Sequence, residues 1–392
     1  MKILVLSFYF RPDLCAGSFR CTALMEQLSK RYPDAEFDLV TTKPNRYATF
    51  HSEAREEEIA GNVTIHRIPL PPHKSGMADQ IRSFSAYYRE AMRIVKGGRY
   101  DLVFATSSRL FTAFLGTRIA RARRLPLYLD VRDLFVDTMS NILPAKIAFL
   151  AKPVLKIVER YTFGYASKIN IVSKGFVPYF SERYPGIPLS CFTNGIDAEF
   201  LEDRKNGLPP HNFSKPVKVL YTGNIGEGQC LHSILPALAK RTEGTCVFKI
   251  VGDGGRKAVL RKSLADARVT NVELCDPVSR KDLIGLYREA DVLFMHLGDY
   301  PAFKKVLPSK LFEYATTGKP MWAGVGGVAA ELLESEVENV ALFAPDDVDG
   351  AIASFGNLKM ELKERASFVE KYTRSNIMAD MADDIMSLAR KH

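Results

Sequence analysis

Two glycine-bearing segments in the second half of the chain have the composition of phosphate-binding loops. They are residues 223–228 (GNIGEG) and 252–255 (GDGG), and each follows directly after an apolar, strand-like run. Glycine lets the backbone approach a phosphate closely, and the helix after such a loop points its N–H groups and positive dipole end toward the charge. Any tight strand-to-helix turn also favours glycine, so both interpretations stay open. Neither segment matches the dinucleotide-binding pattern GxGxxG, because Lys257 occupies the third glycine position counted from Gly252.

Both segments belong to a long alternation of strand-like and helix-like stretches. Short β-branched runs alternate with amphipathic stretches, a pattern typical of parallel sheets covered by helices. In the first half, strands are predicted at 2–8, 36–42, 63–68, 100–106, 127–131 and 168–173, and helices at 18–31, 79–97, 111–123, 146–164 and 174–184. In the second half, strands are predicted at 217–223, 247–252, 272–276, 291–297, 319–324 and 340–345. A polar segment with Pro and Gly, at about residues 194–216, separates the halves and indicates two domains.

The most specific pattern is the segment 308–320 (PSKLFEYATTGKP), in which Glu313 lies on the first turns of a predicted helix that ends at a glycine before a new strand. This segment resembles the nucleotide-sugar signature of glycosyltransferase family 4. Other matching segments follow in the family's order: Ala16-Gly17-Ser18, Asn194-Gly195-Ile196-Asp197, Tyr221-Thr222-Gly223-Asn224, Val251-Gly252-Asp253-Gly254 and Ala290-Asp291-Val292. The segment 131–135 (VRDLF) is similar to the branch of the family that builds bacterial surface polysaccharides.

The resemblance implies an α/β fold of GT-B type, with two Rossmann-like domains facing each other across a cleft. Residues 1–193 would form the acceptor-binding domain and residues 194–372 the nucleotide-sugar-binding domain. Residues 373–392 would form a C-terminal helix that returns to the first domain. The implied activity is transfer of a sugar from a nucleoside-diphosphate sugar, with UDP as the expected nucleotide, to a lipid-linked or saccharide acceptor, with retention of anomeric configuration.

Carried over by position, the resemblance implies that Glu313 accepts hydrogen bonds from the ribose hydroxyls of the donor and that Gly17 lies under its diphosphate. Arg256 and Lys310 are candidates to neutralise the diphosphate, because a departing nucleoside diphosphate accumulates negative charge. Asp133 is the candidate for orienting or deprotonating the acceptor hydroxyl, with Arg132 beside it, although an Asp that opens a helix is often only an N-cap. Further donor contacts are expected from Ser18, Gly223, Asn224, Gly252, Gly254, Ser309 and Leu311.

The chain also departs from the family pattern. Lys305 stands eight residues before Glu313, where many members have a second Glu. Asn224 and Gln229 stand where Arg and Lys are frequent. These departures motivate two alternatives: a sugar-nucleotide epimerase on the same scaffold, and a non-catalytic subunit that binds sugar nucleotides.

No cofactor and no metal are expected. The Asp-x-Asp pattern that holds a divalent ion in metal-dependent transferases of another fold occurs here only at residues 347–349, in an acidic turn that opens a predicted helix. We interpret that pattern as helix capping. None of the seven histidines lies two or four residues from a second histidine, the spacing that would suggest a zinc site.

The positive charge of the chain is concentrated in its first half. Residues 1–190 hold 28 Lys and Arg against 17 Asp and Glu, whereas residues 191–392 hold 26 against 28. The predicted helix 79–97 places Ile81, Phe84, Tyr88, Met92 and Val95 on one face, beside a row of basic residues. Residues 146–161 repeat this pattern with Lys152, Lys156 and Arg160 beside Ile147, Leu150, Val154, Ile157 and Tyr161. Such helices either lie on an anionic membrane surface or cover the sheet with their apolar side, and we expect the first.

The cysteines and the length of the apolar runs indicate where the protein is expected in the cell. Six cysteines without a CxxC pair suit a reducing compartment, and no run reaches the ~18 apolar residues of a membrane span. We expect a cytoplasmic protein that associates peripherally with the inner face of the cytoplasmic membrane. Nucleic acid is not expected as a partner, since the basic region lacks a recognisable module with interleaved aromatic residues.

Overall fold

The chain forms two compact units in a computed structural model. The structure describes residues 1–13, 15–44, 54–71, 77–107, 110–134, 136, 145–202, 204 and 207–390. The first unit contains Met1–Thr193 together with Arg374–His392, and the second contains Asn194–Thr373.

An eight-stranded sheet forms the centre of the first unit, in the order β3-β4-β2-β1-β5-β6-β7-β8. Its strands are β1 (Lys2–Leu6), β2 (Glu36–Thr42), β3 (Glu57–Ala60), β4 (Val63–Ile68), β5 (Leu102–Thr106), β6 (Leu127–Val131), β7 (Lys168–Ile171) and β8 (Leu189–Ser190). All neighbours pair in parallel except β3 and β4. The central strands β1, β5 and β6 are mostly apolar and are buried except at Lys2, as expected for a parallel sheet covered on both faces.

Helices connect these strands. They are α1 (Ala16–Arg31), α2 (Met77–Val95), α3 (Leu110–Arg123), α4 (Ala145–Phe163) and α5 (Val177–Arg183). Each predicted strand and helix of this half is confirmed, with ends that shift by a few residues. The sequence patterns missed β3 and β8, which are short and lie at the two edges of the sheet.

A six-stranded parallel sheet forms the centre of the second unit, in the order β11-β10-β9-β12-β13-β14. Its strands are β9 (Val217–Thr222), β10 (Cys246–Val251), β11 (Val272–Cys275), β12 (Val292–His296), β13 (Met321–Gly324) and β14 (Val340–Phe343). The helices that follow are α6 (Ala198–Glu202), α7 (Leu231–Arg241), α8 (Lys257–Asp266), α9 (Arg280–Glu289), α10 (Ser309–Thr316), α11 (Val328–Glu336), α12 (Val348–Phe355) and α13 (Ala366–Tyr372). The single tryptophan, Trp322, lies fully buried in this core. The last helix, α14 (Arg374–Ala389), belongs to the first unit and packs against α1.

A buried ion pair connects α1 to the sheet of the first unit. Arg20 donates to both carboxylate oxygens of Asp130 on β6, at 3.0 and 2.9 Å. Its remaining N–H groups donate to the backbone carbonyls of Phe192 and Thr193, each at 2.8 Å. Burial alone would raise the pKa of Asp130, but the Arg20 guanidinium, together with Arg132 and the Asn170 amide, outweighs burial and lowers that pKa. The guanidinium therefore satisfies a buried carboxylate and two backbone carbonyls at once.

We expect Arg20→Met to lower the free energy of unfolding by about 3–5 kcal/mol, because the substitution leaves the Asp130 carboxylate buried without its counter-ion. Urea denaturation followed by circular dichroism measures this change. Arg31→Met is the matched control on the same helix: the side chains of Arg31 and Asp383 form an ion pair but are 42% and 45% exposed. Its loss should leave the unfolding midpoint close to that of the wild type, because water and salt screen an exposed pair. Equal unfolding midpoints for the two variants would contradict the role given to Arg20.

Candidate functional site

The two glycine loops of the second unit pack directly on one another at the carboxyl ends of β9 and β10. The N–H of Gly223 donates to the carbonyl of Val251 at 2.9 Å, and the N–H of Ile225 donates to that of Asp253 at 2.8 Å. Gly252 has φ +158°, and a Cβ added there would lie 1.8 Å from the carbonyl oxygen of Gly223. The close packing of the loops therefore requires glycine at position 252 whether or not a phosphate binds there.

Glu313 lies on α10 with its carboxylate largely buried. The residue is only 9% exposed, and its Oε2 accepts hydrogen bonds from Lys310 Nζ at 2.8 Å and from the Tyr287 hydroxyl at 3.0 Å. Lys310 in turn lies beside the first glycine loop, since a Cβ added at Gly223 would be 3.8 Å from Lys310 Cε. The structure thus brings together three residues that the sequence predicts as donor contacts: Glu313, Lys310 and Gly223.

A group of buried hydroxyls continues from Glu313 to the end of β9. The Tyr287 hydroxyl is 3.1 Å from Thr222 Oγ1, which is 3.2 Å from the Tyr314 hydroxyl. Burial raises the pKa of Tyr287 well above its usual value, and the neighbouring Glu313 charge adds to this effect. Tyr287 and Thr222 were not among the predicted site residues. Thr222 belongs to the matched segment 221–224 and so carried a signal, whereas Tyr287 lies outside the matched segments and carried none.

Asn224 and Gln229, the two positions at which the chain departs from the family pattern, form hydrogen bonds in and beside the first glycine loop. Asn224 Nδ2 donates to Gln229 Oε1 at 2.9 Å. The Gln229 carbonyl lies 2.7 Å from His296 Nδ1, and His296 Nε2 accepts the N–H of Asp346 at 3.0 Å. His296 therefore carries its proton on Nδ1, and burial lowers the pKa of its ring.

The remaining residues predicted to contact the donor differ in how buried they are and in what they contact. Arg256, the N-cap residue of α8, forms an ion pair with Glu227. The side chain of Leu311 is fully buried, so it can only support the site from the core. Ser309 is the first residue of α10 and is half-buried. Lys305 ends a short 3-10 turn (Phe303–Lys305) and supplies no carboxylate at the position where many family members have one.

Arg132 and Gly17 lie together in the first unit. A Cβ added at Gly17, in the first turn of α1, would be 2.9 Å from Arg132 Nη1. Arg132 Nε is buried and has no hydrogen-bond partner among the residues described. Burial and the neighbouring Arg20 lower the pKa of Arg132 to about 10. Ser18 is buried beside Gly17, and Asp133 is exposed just beyond β6. A half-buried guanidinium with an unpaired Nε at a helix N-terminus favours an anion.

Two family models together match most of the chain. The model of the glycosyl transferase 4-like domain matches residues 20–188, and the model of glycosyl transferases group 1 matches residues 216–358. The chain belongs to glycosyltransferase family 4. The family resemblance drawn from Glu313 and the accompanying segments is therefore confirmed, and the protein is an enzyme.

Individual relatives agree with this family and fold. The glycosyltransferase is 26% identical over 345 residues to WcaI of Escherichia coli (strain K12), which is named as a colanic acid biosynthesis glycosyl transferase; the match covers 81% of this chain and 82% of WcaI. It is similar in structure to the apo form of the lipopolysaccharide outer core galactosyltransferase WaaB (TM-score 0.65, 13% identity, 99% of each chain). It is also similar to HepE of Anabaena in complex with UDP-glucose (TM-score 0.60, 16% identity, 100% of this chain and 98% of HepE). The predicted GT-B fold class, an α/β fold with two parallel sheets, is confirmed.

The Asp-x-Asp pattern of the glycosyltransferase caps a helix, as predicted. Asp347 is the N-cap of α12, where its side chain accepts the N–H of Gly350 at 2.9 Å. Asp349 forms an ion pair with Arg241. Within the described ranges, no group of three or more His, Cys, Asp or Glu side chains is placed to hold a metal ion.

The two basic helices of the glycosyltransferase differ from each other in the structure. On α4, the apolar side chains Val154 and Ile157 are 61% and 70% exposed, next to exposed Lys152, Lys156 and Arg160. The side chains of Ile147 and Leu150 lie outside the described residues. No helix in the described part of the chain is long and apolar enough to cross a membrane.

For α2, the predicted apolar face is not the face that enters the core. The buried positions are Ser83, Tyr87, Ala91 and Val95. Of the predicted stripe only Val95 is buried, whereas Ile81 is 62% exposed. The buried stripe is displaced by about one residue from the predicted one, and within it the Tyr87 hydroxyl donates to the carbonyl of Val40 on β2 at 3.0 Å.

We expect Gly252→Ala to lower the free energy of unfolding by more than about 2 kcal/mol, since the added methyl group would overlap the Gly223 carbonyl in a backbone conformation unfavourable for alanine. Urea denaturation followed by the fluorescence of Trp322 reports on this unit directly. Gly255→Ala in the same loop is the control, because nothing lies within 4 Å of its added Cβ. That variant should stay within about 0.5 kcal/mol of wild type. A Gly252→Ala protein as stable as the control would show that the loops are not packed as described.

Proposed function

We propose that this glycosyltransferase moves a sugar from a UDP-sugar to a lipid-linked or saccharide acceptor in the biosynthesis of a bacterial surface polysaccharide. The observation that carries the proposal is the buried Glu313 carboxylate beside Lys310 and the first glycine loop. The relatives support it: WcaI is named for colanic acid biosynthesis and WaaB for the lipopolysaccharide outer core, and HepE was solved with UDP-glucose. The segment 131–135 supports the same branch.

In this proposal the second unit, from residue 194 to about 372, holds the donor. Every hydrogen bond that the described residues make to the Glu313 carboxylate goes to Oε2, which leaves Oε1 to accept from the ribose hydroxyls. Lys310 neutralises the diphosphate, and Arg256 joins it by exchanging Glu227 for phosphate oxygens. Backbone N–H groups near Gly223, Asn224, Gly252 and Gly254 contribute further donors, and Ser309 adds its hydroxyl.

The first unit, residues 1–193 with the C-terminal helix 373–392, receives the acceptor. Asp133 orients the acceptor hydroxyl, and Arg132 with the N-terminus of α1 at Gly17 and Ser18 stabilises negative charge on the diphosphate. In a retaining reaction the bond between the anomeric carbon and the diphosphate oxygen breaks while the acceptor oxygen bonds to the same face of the sugar. The acceptor proton passes to the departing diphosphate. Cationic side chains stabilise that leaving group in the proposal, so no metal is required.

We expect UDP to raise the melting temperature of the wild-type enzyme by several degrees, because a ligand that binds only the folded state stabilises it. Glu313→Gln should reduce UDP affinity at least about tenfold and reduce sugar transfer, since the amide is a weaker acceptor for the ribose hydroxyls. Thermal shift, calorimetry and product analysis measure these effects. Glu334→Gln, an exposed glutamate on α11, is the control and should match wild type.

Several outcomes would contradict this proposal. They are an absence of UDP binding by the wild type, unchanged UDP affinity in Glu313→Gln, and a new nucleotide sugar formed without any acceptor product. Loss of transfer on addition of EDTA would contradict the metal-independent mechanism.

We further propose that α4 places the enzyme on the inner face of the cytoplasmic membrane. Exposed apolar side chains are unfavourable in water. The exposed side chains of Val154 and Ile157 lie among three exposed cations. That combination suits an anionic leaflet, where apolar residues enter the interface and each basic residue adds on the order of 1 kcal/mol. A lipid-linked acceptor would reside at the same surface.

We expect the double variant K152E/K156E to bind phosphatidylglycerol vesicles at least about 30-fold more weakly than wild type, the loss of two interactions of about 1 kcal/mol each. Vesicle sedimentation at low salt measures this affinity. The double variant R261E/K262E makes the same charge change at two exposed positions of α8 in the other unit and should bind like wild type. Wild-type enzyme that stays in the supernatant, or an equal loss in both variants, would overturn the membrane assignment.

A further inference from the structure

We propose that Tyr287 is a positioning residue that sets how strongly the enzyme prefers a ribonucleotide donor over a 2′-deoxyribonucleotide. The inference rests on the proposed function, in which Glu313 accepts the ribose hydroxyls. It concerns a residue outside the predicted site, one that reaches the donor only through the Glu313 carboxylate.

The direction of the hydrogen bonds around Glu313 follows from counting protons. Glu313, as the carboxylate partner of Lys310, can only accept, so the single hydroxyl proton of Tyr287 goes to Glu313 Oε2 at 3.0 Å. Thr222 Oγ1, 3.1 Å from the Tyr287 oxygen, must then donate to Tyr287. The Tyr314 hydroxyl, 3.2 Å from Thr222 Oγ1, must donate to Thr222.

This chain of hydroxyls ends on the backbone of β9. The N–H of Thr222 donates to the Tyr314 hydroxyl at 3.0 Å, and the proton of that hydroxyl is directed at Thr222 itself, with Oγ1 at 3.2 Å and the backbone carbonyl at 3.4 Å. All four residues are at most 9% exposed. In such surroundings hydrogen bonds strengthen one another and hold their members in one geometry. Thr222, the last residue of β9, is therefore connected through the Tyr287 hydroxyl to the Glu313 carboxylate.

Lys310 cannot replace Tyr287 in this role. Its side chain is flexible, is 27% exposed, and is proposed to turn toward the diphosphate when the donor binds. Tyr287 is rigid, because its ring packs edge-on against Tyr314 at 5.5 Å and lies 5.8 Å from the ring of Phe200. With Lys310 withdrawn, the Tyr287 hydroxyl is the group that still fixes Oε2 and keeps Oε1 directed at the donor.

The test compares Tyr287→Phe with Tyr372→Phe in the full-length enzyme. Both variants keep the aromatic ring and lose a hydroxyl that donates to a glutamate at 3.0 Å, but the partner of Tyr372 is Glu336, which has no part in the site. Calorimetry gives the dissociation constants for UDP and 2′-deoxy-UDP, and their ratio is the readout. Loss of stability alone would not change that ratio.

We expect Tyr287→Phe to reduce the preference for UDP over 2′-deoxy-UDP about tenfold, mainly through weaker UDP binding, while Tyr372→Phe keeps the wild-type ratio. Glu313→Ala should abolish the preference, and adding Tyr287→Phe to it should change nothing more. If Tyr287→Phe does not fold, Thr222→Val removes the hydroxyl that donates to Tyr287 and should lower the ratio in the same direction. A folded Tyr287→Phe, or in its place Thr222→Val, with the wild-type ratio overturns the inference. Wild type that does not bind UDP, or a wild-type ratio in Glu313→Ala, overturns the proposed function instead.

Discussion

A carboxylate that is nine-tenths buried is the constraint on which the arrangement of the second unit depends. Removing a charge from water is costly unless counter-charges and hydrogen bonds replace the water, and Glu313 receives both from Lys310 and Tyr287. Satisfying this group places α10, α9 and the end of β9 around one point. The glycine loop that begins at Gly223 then lies beside Lys310, so the requirement to stabilise one buried charge also assembles the surface at which a nucleotide sugar could bind.

Two arginines of the first unit contribute in opposite ways. Arg20 is fully compensated by Asp130 and two backbone carbonyls, so it serves the stability of the fold. Arg132, half-buried beside the N-terminus of α1, has a buried Nε without a hydrogen-bond partner in the described part of the chain and a lowered pKa. A protein tolerates such a group where an incoming anion completes the balance of charge. The glycine loops of the second unit are explained first by backbone packing, so their glycines alone are weak evidence for phosphate binding.

The predictable features were those encoded by local patterns. Strands 36–42, 63–68 and 127–131 were predicted to the residue because short runs rich in β-branched, aromatic and other apolar residues are bounded by polar turns. Strand β3 was missed because a half-exposed edge strand has no such run. The apolar stripe predicted for α2 does not coincide with the buried face of the helix, which contains Tyr87 and its hydrogen bond to the carbonyl of Val40. Glu313 and Lys310 were found through one segment, but Tyr287, 26 residues away on another helix, becomes a partner only through tertiary structure. The ion pair between Arg256 and Glu227 could not be predicted either, because tertiary structure brings the two residues together.

The most direct test of the central claim is a crystal structure of the enzyme with UDP bound. The account predicts that a ribose hydroxyl lies within about 3.2 Å of a Glu313 carboxylate oxygen, with Tyr287 still donating to the other oxygen and the diphosphate beside the Gly223 loop. A nucleotide bound with its ribose away from Glu313, and with that carboxylate still turned only toward Lys310 and Tyr287, would contradict the account.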